Sequence, residues 1–245
     1  TLAKNLGLRV FTSAYRLAPE FPYPAAIDDA LKGYSYLIEC GISPQSIVLC
    51  GESAGGGLCY ALCLRLSQMV MPMPAGIIAI SPWVDLTLSG DSIKSRADVD
   101  IALNYDRLRF FADSYIGKSD PKLPEISPIF ADVSCMPPSL IFVGSDELLF
   151  DDSLVLERKL VHAGRECKLI VGEKMWHAYT IYSLNEHKSD FSEMESFIDS
   201  VVPAPRKLRW MKLDNAAKIY PAAKRKDWNN TFRLSATLPD ILPQT

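Results

Sequence analysis

Ser46-Ile47-Val48-Leu49-Cys50-Gly51-Glu52-Ser53-Ala54-Gly55 is the stretch on which the fold turns. Residues 46–50 are apolar on both faces, as a central strand of a parallel sheet requires. A tight turn follows over 51–55, and residues 58–69 read as a helix. A Gly-x-Ser-x-Gly pattern alone says little, since about 0.08 copies would arise by chance in a chain this long. Its placement between strand and helix is what gives it weight, because a nucleophile elbow needs that context. The turn forces Ser53 into a strained backbone conformation, and the small Gly51 and Gly55 let strand and helix close around it. The Ser53 oxygen then stands at a helix N-terminus, where the dipole favours developing negative charge. A phosphate-binding turn is the competing reading. The Gly-x-Gly-x-x-Gly spacing is absent, and no Lys follows as in a P-loop.

Working outward, residues 8–15 (Leu8, Val10, Phe11, Tyr15) predict a buried strand. A turn at Arg16-Leu17-Ala18-Pro19-Glu20 leads to a helix with Pro24 in its first turn. Its apolar stripe is Ile27, Leu31, Tyr34 and Ile38, Gly41 ends it, and Asp28 and Lys32 are spaced to pair. Downstream, strands are predicted at 75–80, 139–143 and 167–171, with helices at 149–162 and 191–201. Strands alternating with helices predict an α/β fold, a mostly parallel sheet with helices on both faces. Residues 84–137, with an amphipathic helix at 105–115, are too long for a plain connection and predict a partial helical cap, part of a lid. Trp83 and the Phe110-Phe111 pair read as core packing ahead of pocket lining.

The 245 residues are 48% hydrophobic and 22% charged, enough to bury a substantial core. No apolar run reaches the ~18 residues of a membrane span, and the first residues lack the apolar stretch of a signal peptide. Six scattered cysteines without a CxxC pair predict reduced thiols and a cytoplasmic location. A net charge of −3 gives no reason to expect nucleic acid as a partner. Residues 1–202 hold 17 basic and 26 acidic side chains, whereas 203–245 hold 9 basic and 3 acidic. The change falls at Pro203-Ala204-Pro205, a stiff linker. The organisation expected is one unit over 1–202 and a linker plus a second fragment or basic extension over 203–245.

A serine nucleophile needs a base, and the chain offers His162, His177 and His187. His162 falls inside an apolar helix and His187 in a polar stretch. His177 follows the last strand, where a loop at the strand's carboxyl end reaches the serine. The orienting acid should also follow a strand, which selects Asp146 in Val143-Gly144-Ser145-Asp146-Glu147. Its rivals are Glu147, Asp151 and Asp152, the last two reading as acidic first-turn residues of a helix. The order Ser53, Asp146, His177 is that of α/β-hydrolases.

Five phrases carry a family resemblance: Tyr15-Arg16-Leu17-Ala18-Pro19-Glu20, Gly51-Glu52-Ser53-Ala54-Gly55-Gly56, Ser81-Pro82-Trp83-Val84-Asp85, Gly144-Ser145-Asp146-Glu147 and Met175-Trp176-His177. Together they resemble the hormone-sensitive-lipase-like family of α/β-hydrolases over 1–202. The resemblance implies cofactor-free hydrolysis of small carboxylic esters with short acyl chains, through Ser53, Asp146 and His177, with the Ala54 N–H in the oxyanion hole. Two departures stand out. Glu52 replaces the more usual Asp, and the family's upstream His-Gly-Gly-Gly motif is absent, so the hydrolase unit is expected to lack its first strands. Residues 206–245, with an expected strand at 228–238, resemble the start of alcohol-acetyltransferase or condensation-type domains without their His-containing motif. The expectation admits a homo-oligomer and a fused acyltransferase domain. The competing class is a non-catalytic hydrolase-like module that binds a ligand or holds such a domain; a peptidase is a third.

Overall fold

The computed structural model describes residues 2–182, 184 and 187–203. The expectations for 204–245, including the acyltransferase-like start and the strand at 228–238, lie outside the described residues.

Four strands, β1 (Val48–Glu52), β2 (Gly76–Ile80), β3 (Ser139–Gly144) and β4 (Cys167–Gly172), form a parallel sheet in chain order. Seven helices accompany them among the described residues: α1 (Leu2–Leu6), α2 (Ala25–Glu39), α3 (Ala54–Gln68), α4 (Ser92–Ser95), α5 (Tyr105–Ile116), α6 (Phe150–His162) and α7 (Lys188–Val201). Every residue of β2 and β3 is buried, which explains their unbroken apolar runs. Ile77, Ala79 and Ile141 point to the face covered by α3 and α6, where they meet Tyr60, Leu156 and Leu160. The alternate residues Ile78, Ile80, Leu140 and Phe142 point to the other face, against Leu6 and the α7 residue Met194. The parallel sheet with helices on both faces is therefore as expected. α2 lies outside α3, its Tyr34 joining Leu62 and Leu66.

Four local expectations are corrected. Residues 8–15 form no strand, and Leu8, Val10 and Phe11 are exposed. Among the described residues nothing pairs with that segment, and β-propensity alone does not make a ladder. β1 is consequently an edge of the sheet and is only partly buried. α3 begins at Ala54, before the glycine run, because packing against the sheet outweighs the weak helix propensity of Gly55 to Gly57. Lys32 pairs with Asp29 at 3.4 Å, while Asp28 binds Arg65 at 3.1 Å. Phe110 and Phe111 are exposed, in edge contact with each other, whereas Trp83 is buried beside Leu148 and Leu149.

Candidate active site

The strand–helix turn places Ser53 at φ +54° and ψ −122°, a left-handed conformation that costs a non-glycine residue of order 1–3 kcal/mol. Three hydrogen bonds hold it there. The Ser53 N–H donates to Ile80 O at 2.9 Å, and its carbonyl accepts from Gly57 N–H at 3.1 Å and Trp83 N–H at 3.0 Å. The end of β2 thus pins the elbow from one side and the first turn of α3 from the other. A Cβ on Gly51 would lie 2.1 Å from Gly55 O, so only glycine lets β1 and α3 approach this closely. Gly55 itself has open space, so of the two glycines expected to close the turn, Gly51 is the sterically required one. The Ser53 side chain makes no capping hydrogen bond, and Ala54 follows as the exposed first residue of α3.

His177 sits in the loop after β4, 7% exposed. Its Nδ1 lies 2.7 Å from Oε2 of Glu147, which is fully buried. The other oxygen of Glu147 accepts from the Gly144 N–H at 3.0 Å. Both carboxylate oxygens therefore have a partner, which is how a buried acid is accommodated. With Nδ1 committed to Glu147, Nε2 is the ring nitrogen left for chemistry.

The acid expected from the sequence is corrected here: Glu147, not Asp146, meets the imidazole. The Asp146 side chain accepts from Ser145 Oγ at 2.9 Å, and only its backbone touches the histidine loop, Asp146 N–H donating to Met175 O at 3.1 Å. The chain leaves β3 in a turn that aims successive side chains in different directions. Glu147 points inward beside buried Leu148 and Leu149, and Asp146 outward beside Ser145. Apolar neighbours on one side of the Asp-Glu pair were the available sequence signal. Asp151 and Asp152 do stand in the first turn of α6.

The loops after β3 and β4 are stitched together along their length. Ser145 N–H donates to Gly172 O at 2.9 Å, and Lys174 N–H donates to Ser145 Oγ at 2.8 Å. Gly144 makes this possible, because a Cβ there would lie 2.3 Å from Met175 O. Just past the end of β2, Ser81, quoted in the sequence only as part of a family phrase and given no role there, adds a further contact. It is fully buried at φ +47°, and its Oγ accepts from the Ala178 N–H at 3.0 Å, next to His177.

Of the remaining histidines, His162 ends α6 and is exposed, and His187 lies 3.8 Å from Asp190. Among the described residues no group of three His, Cys, Asp or Glu could hold a metal ion. No helix among them is long and apolar enough to cross a membrane.

A family model described as the α/β hydrolase fold matches residues 1–181, and the chain belongs to that family. Among its relatives are esterases of the hormone-sensitive lipase family. A hormone-sensitive lipase structure from a metagenome library is 38% identical, with a TM-score of 0.79, over 82% of this chain and 70% of that one. An acetyl-hydrolase of Streptomyces hygroscopicus is 39% identical over 181 residues, 74% of this chain and 60% of that protein. An esterase of Acinetobacter venetianus is 34% identical over 203 residues, 82% of this chain and 67% of the relative. The chain thus spans roughly three fifths to two thirds of the length of these curated relatives.

Proposed function

We propose that this chain carries the catalytic residues of a carboxylic-ester hydrolase, with Ser53 as nucleophile, His177 as base and Glu147 as the orienting acid. The observation that carries the reading is the buried Glu147–His177 pair, whose loop bonds Ser81 through the Ala178 N–H, next to the Ile80 carbonyl that holds the strained Ser53. Ser53 Oγ attacks the ester carbonyl while Nε2 of His177 takes its proton. Glu147 holds Nδ1 as the protonated nitrogen and stabilises the imidazolium that forms. The carbonyl oxygen becomes an oxyanion, and the Ala54 N–H at the start of α3 is a donor for it. Collapse breaks the ester bond, His177 passes its proton to the leaving alcohol, and an acyl-enzyme remains. Water, deprotonated by the same nitrogen, then releases the acid and restores Ser53.

The acyl group is short in this reading, supported by the name of the Streptomyces relative, an acetyl-hydrolase. Six free cysteines support a reducing compartment, the cytosol. The experiment is turnover of p-nitrophenyl acetate, butyrate and decanoate by the chain and its Ser53→Ala variant, with fluorophosphonate labelling in parallel. Ser53-dependent hydrolysis that favours acetate and butyrate is expected. Equal rates in the two proteins would remove Ser53 from the mechanism, and an unlabelled Ser53 would favour a non-catalytic module.

A further inference from the structure

The segment between β2 and β3 is tied to the turn that carries Glu147. Ser92 is buried at the start of α4, and its Oγ donates to Leu148 O at 2.6 Å. The same oxygen accepts from Asp151 N–H at 3.1 Å, while Ser92 N–H donates to Asp151 Oδ2 at 2.8 Å. Asp100 reaches the other side of Leu148. Its Oδ2 accepts from Leu148 N–H at 2.8 Å, and its Oδ1 accepts from Ala102 N–H at 2.8 Å and Leu103 N–H at 2.9 Å. Both peptide groups of Leu148 are therefore held by side chains that lie 48 and 56 residues earlier in the chain.

The Leu148 N–H belongs to the peptide plane that joins Glu147 to Leu148. A planar peptide leaves only the dihedrals on either side free. A bond on that N–H consequently fixes the direction in which Glu147 leaves its turn. Leu148 is fully buried, and its N–H without Asp100 would be an orphaned donor, so the turn would rotate to find another partner. The Glu147 carboxylate is otherwise located by two bonds, from Gly144 N–H and to His177, while the Glu147 carbonyl accepts from Phe150 N–H at 3.2 Å. No regular ladder runs through the turn to resist such a rotation.

We propose that Asp100 is a positioning residue for the Glu147–His177 pair. Through the Leu148 N–H it aims the Glu147 carboxylate at Nδ1, making the loop after β2 part of the catalytic frame. The inference rests on the hydrolase reading above. It asks for Asp100→Ala and Asp100→Asn in the full chain, with Asp106→Ala, an exposed residue of α5, as the control. Two readouts separate positioning from plain stability: kcat and KM on p-nitrophenyl butyrate well below the melting temperature, and the downfield proton resonance of His177 Nδ1–H, assigned with His177→Gln. A displacement of about 1 Å can cost about 10²-fold in rate, so a drop of about tenfold or more in kcat is expected for Asp100→Ala, with KM little changed. The downfield resonance should broaden or vanish. Asp100→Asn, which keeps one acceptor oxygen, should recover part of both, and Asp106→Ala should match wild type. Unchanged kcat with the resonance intact, even at a lowered melting temperature, would overturn the proposal. If wild type shows no Ser53-dependent turnover the hydrolase reading falls, and the resonance alone still judges whether Asp100 positions the pair.

Discussion

Glu147→Gln removes one charge and almost no volume, so it isolates what the carboxylate does. In wild type Oε1 accepts from the Gly144 N–H and Oε2 faces His177 Nδ1. Glutamine has one acceptor oxygen, and the Gly144 N–H can only donate, so the amide oxygen must stay on that side. The amide NH2 then faces Nδ1 and, being a donor, requires Nδ1 to accept. The imidazole proton moves to Nε2, the nitrogen that should receive the Ser53 proton. The analogous carboxylate-to-amide exchange in a serine-protease triad costs about 10⁴ in kcat through this tautomer error. A loss of about 10³–10⁴ is expected here. Asp146→Asn touches a side chain whose only described partner is Ser145 Oγ and should stay within about 0.5 kcal/mol, roughly a twofold change in rate. Steady-state hydrolysis of p-nitrophenyl butyrate by both variants decides it, with circular dichroism to confirm folding. A folded Glu147→Gln at wild-type rate, or a greater loss in Asp146→Asn, would refute the assignment of the acid.

Two further perturbations follow from the same geometry. Burial alone would push the Glu125 carboxyl up, but Arg65, with the Tyr23 hydroxyl, outweighs it and holds that carboxyl below the usual range. Arg65 Nη2 donates to Glu125 Oε2 at 2.6 Å, and Tyr23 donates to the same oxygen at 2.7 Å. A folded value below the unfolded one contributes stability that is complete above the unfolded value and lost as pH falls through the folded one. Urea titrations at pH 7, 5 and 3.5 should therefore show a steeper acid loss in wild type than in Glu125→Gln, and parallel curves would refute it. Ser81→Ala orphans the buried Ala178 N–H beside His177, for a cost of about 1–3 kcal/mol by denaturant melting, together with a fall in kcat. An unchanged midpoint and rate would show that this bond positions nothing.

The parts of the molecule legible in sequence are those where burial leaves one kind of residue. β2 and β3 are covered on both faces, so they read as unbroken apolar runs. The Ser53 elbow was legible because strand, turn and helix each carry their own local signature. The segment at 8–15 has the composition of a strand, yet composition carries no information on whether a partner strand lies beside it, and it has no regular secondary structure, with Leu8 and Phe11 exposed. The bonds of Arg65 to Glu125, and of Asp100 to Leu148, join residues 60 and 48 positions apart. No periodicity reports such pairs, because they exist only once the sheet has brought the loops together.

The choice between Asp146 and Glu147 failed for a different reason. Position in chain order selects a strand end, and two adjacent carboxylates share that strand end. What separates them is rotation about the turn, set by Gly144 at its start and by the held Leu148 peptide at its far side. Three loops meet there: the one after β2 through Asp100 and Ser92, the one after β3 through Glu147, and the one after β4 through His177. The longer glutamate side chain suits that geometry, because it must reach back past its own turn to bond Gly144 while still meeting an imidazole on the neighbouring loop. Shortening it by one methylene in Glu147→Asp should break one of those two bonds. That makes which carboxylate meets the imidazole a consequence of how the loops are fastened, and chain order alone could not have chosen it.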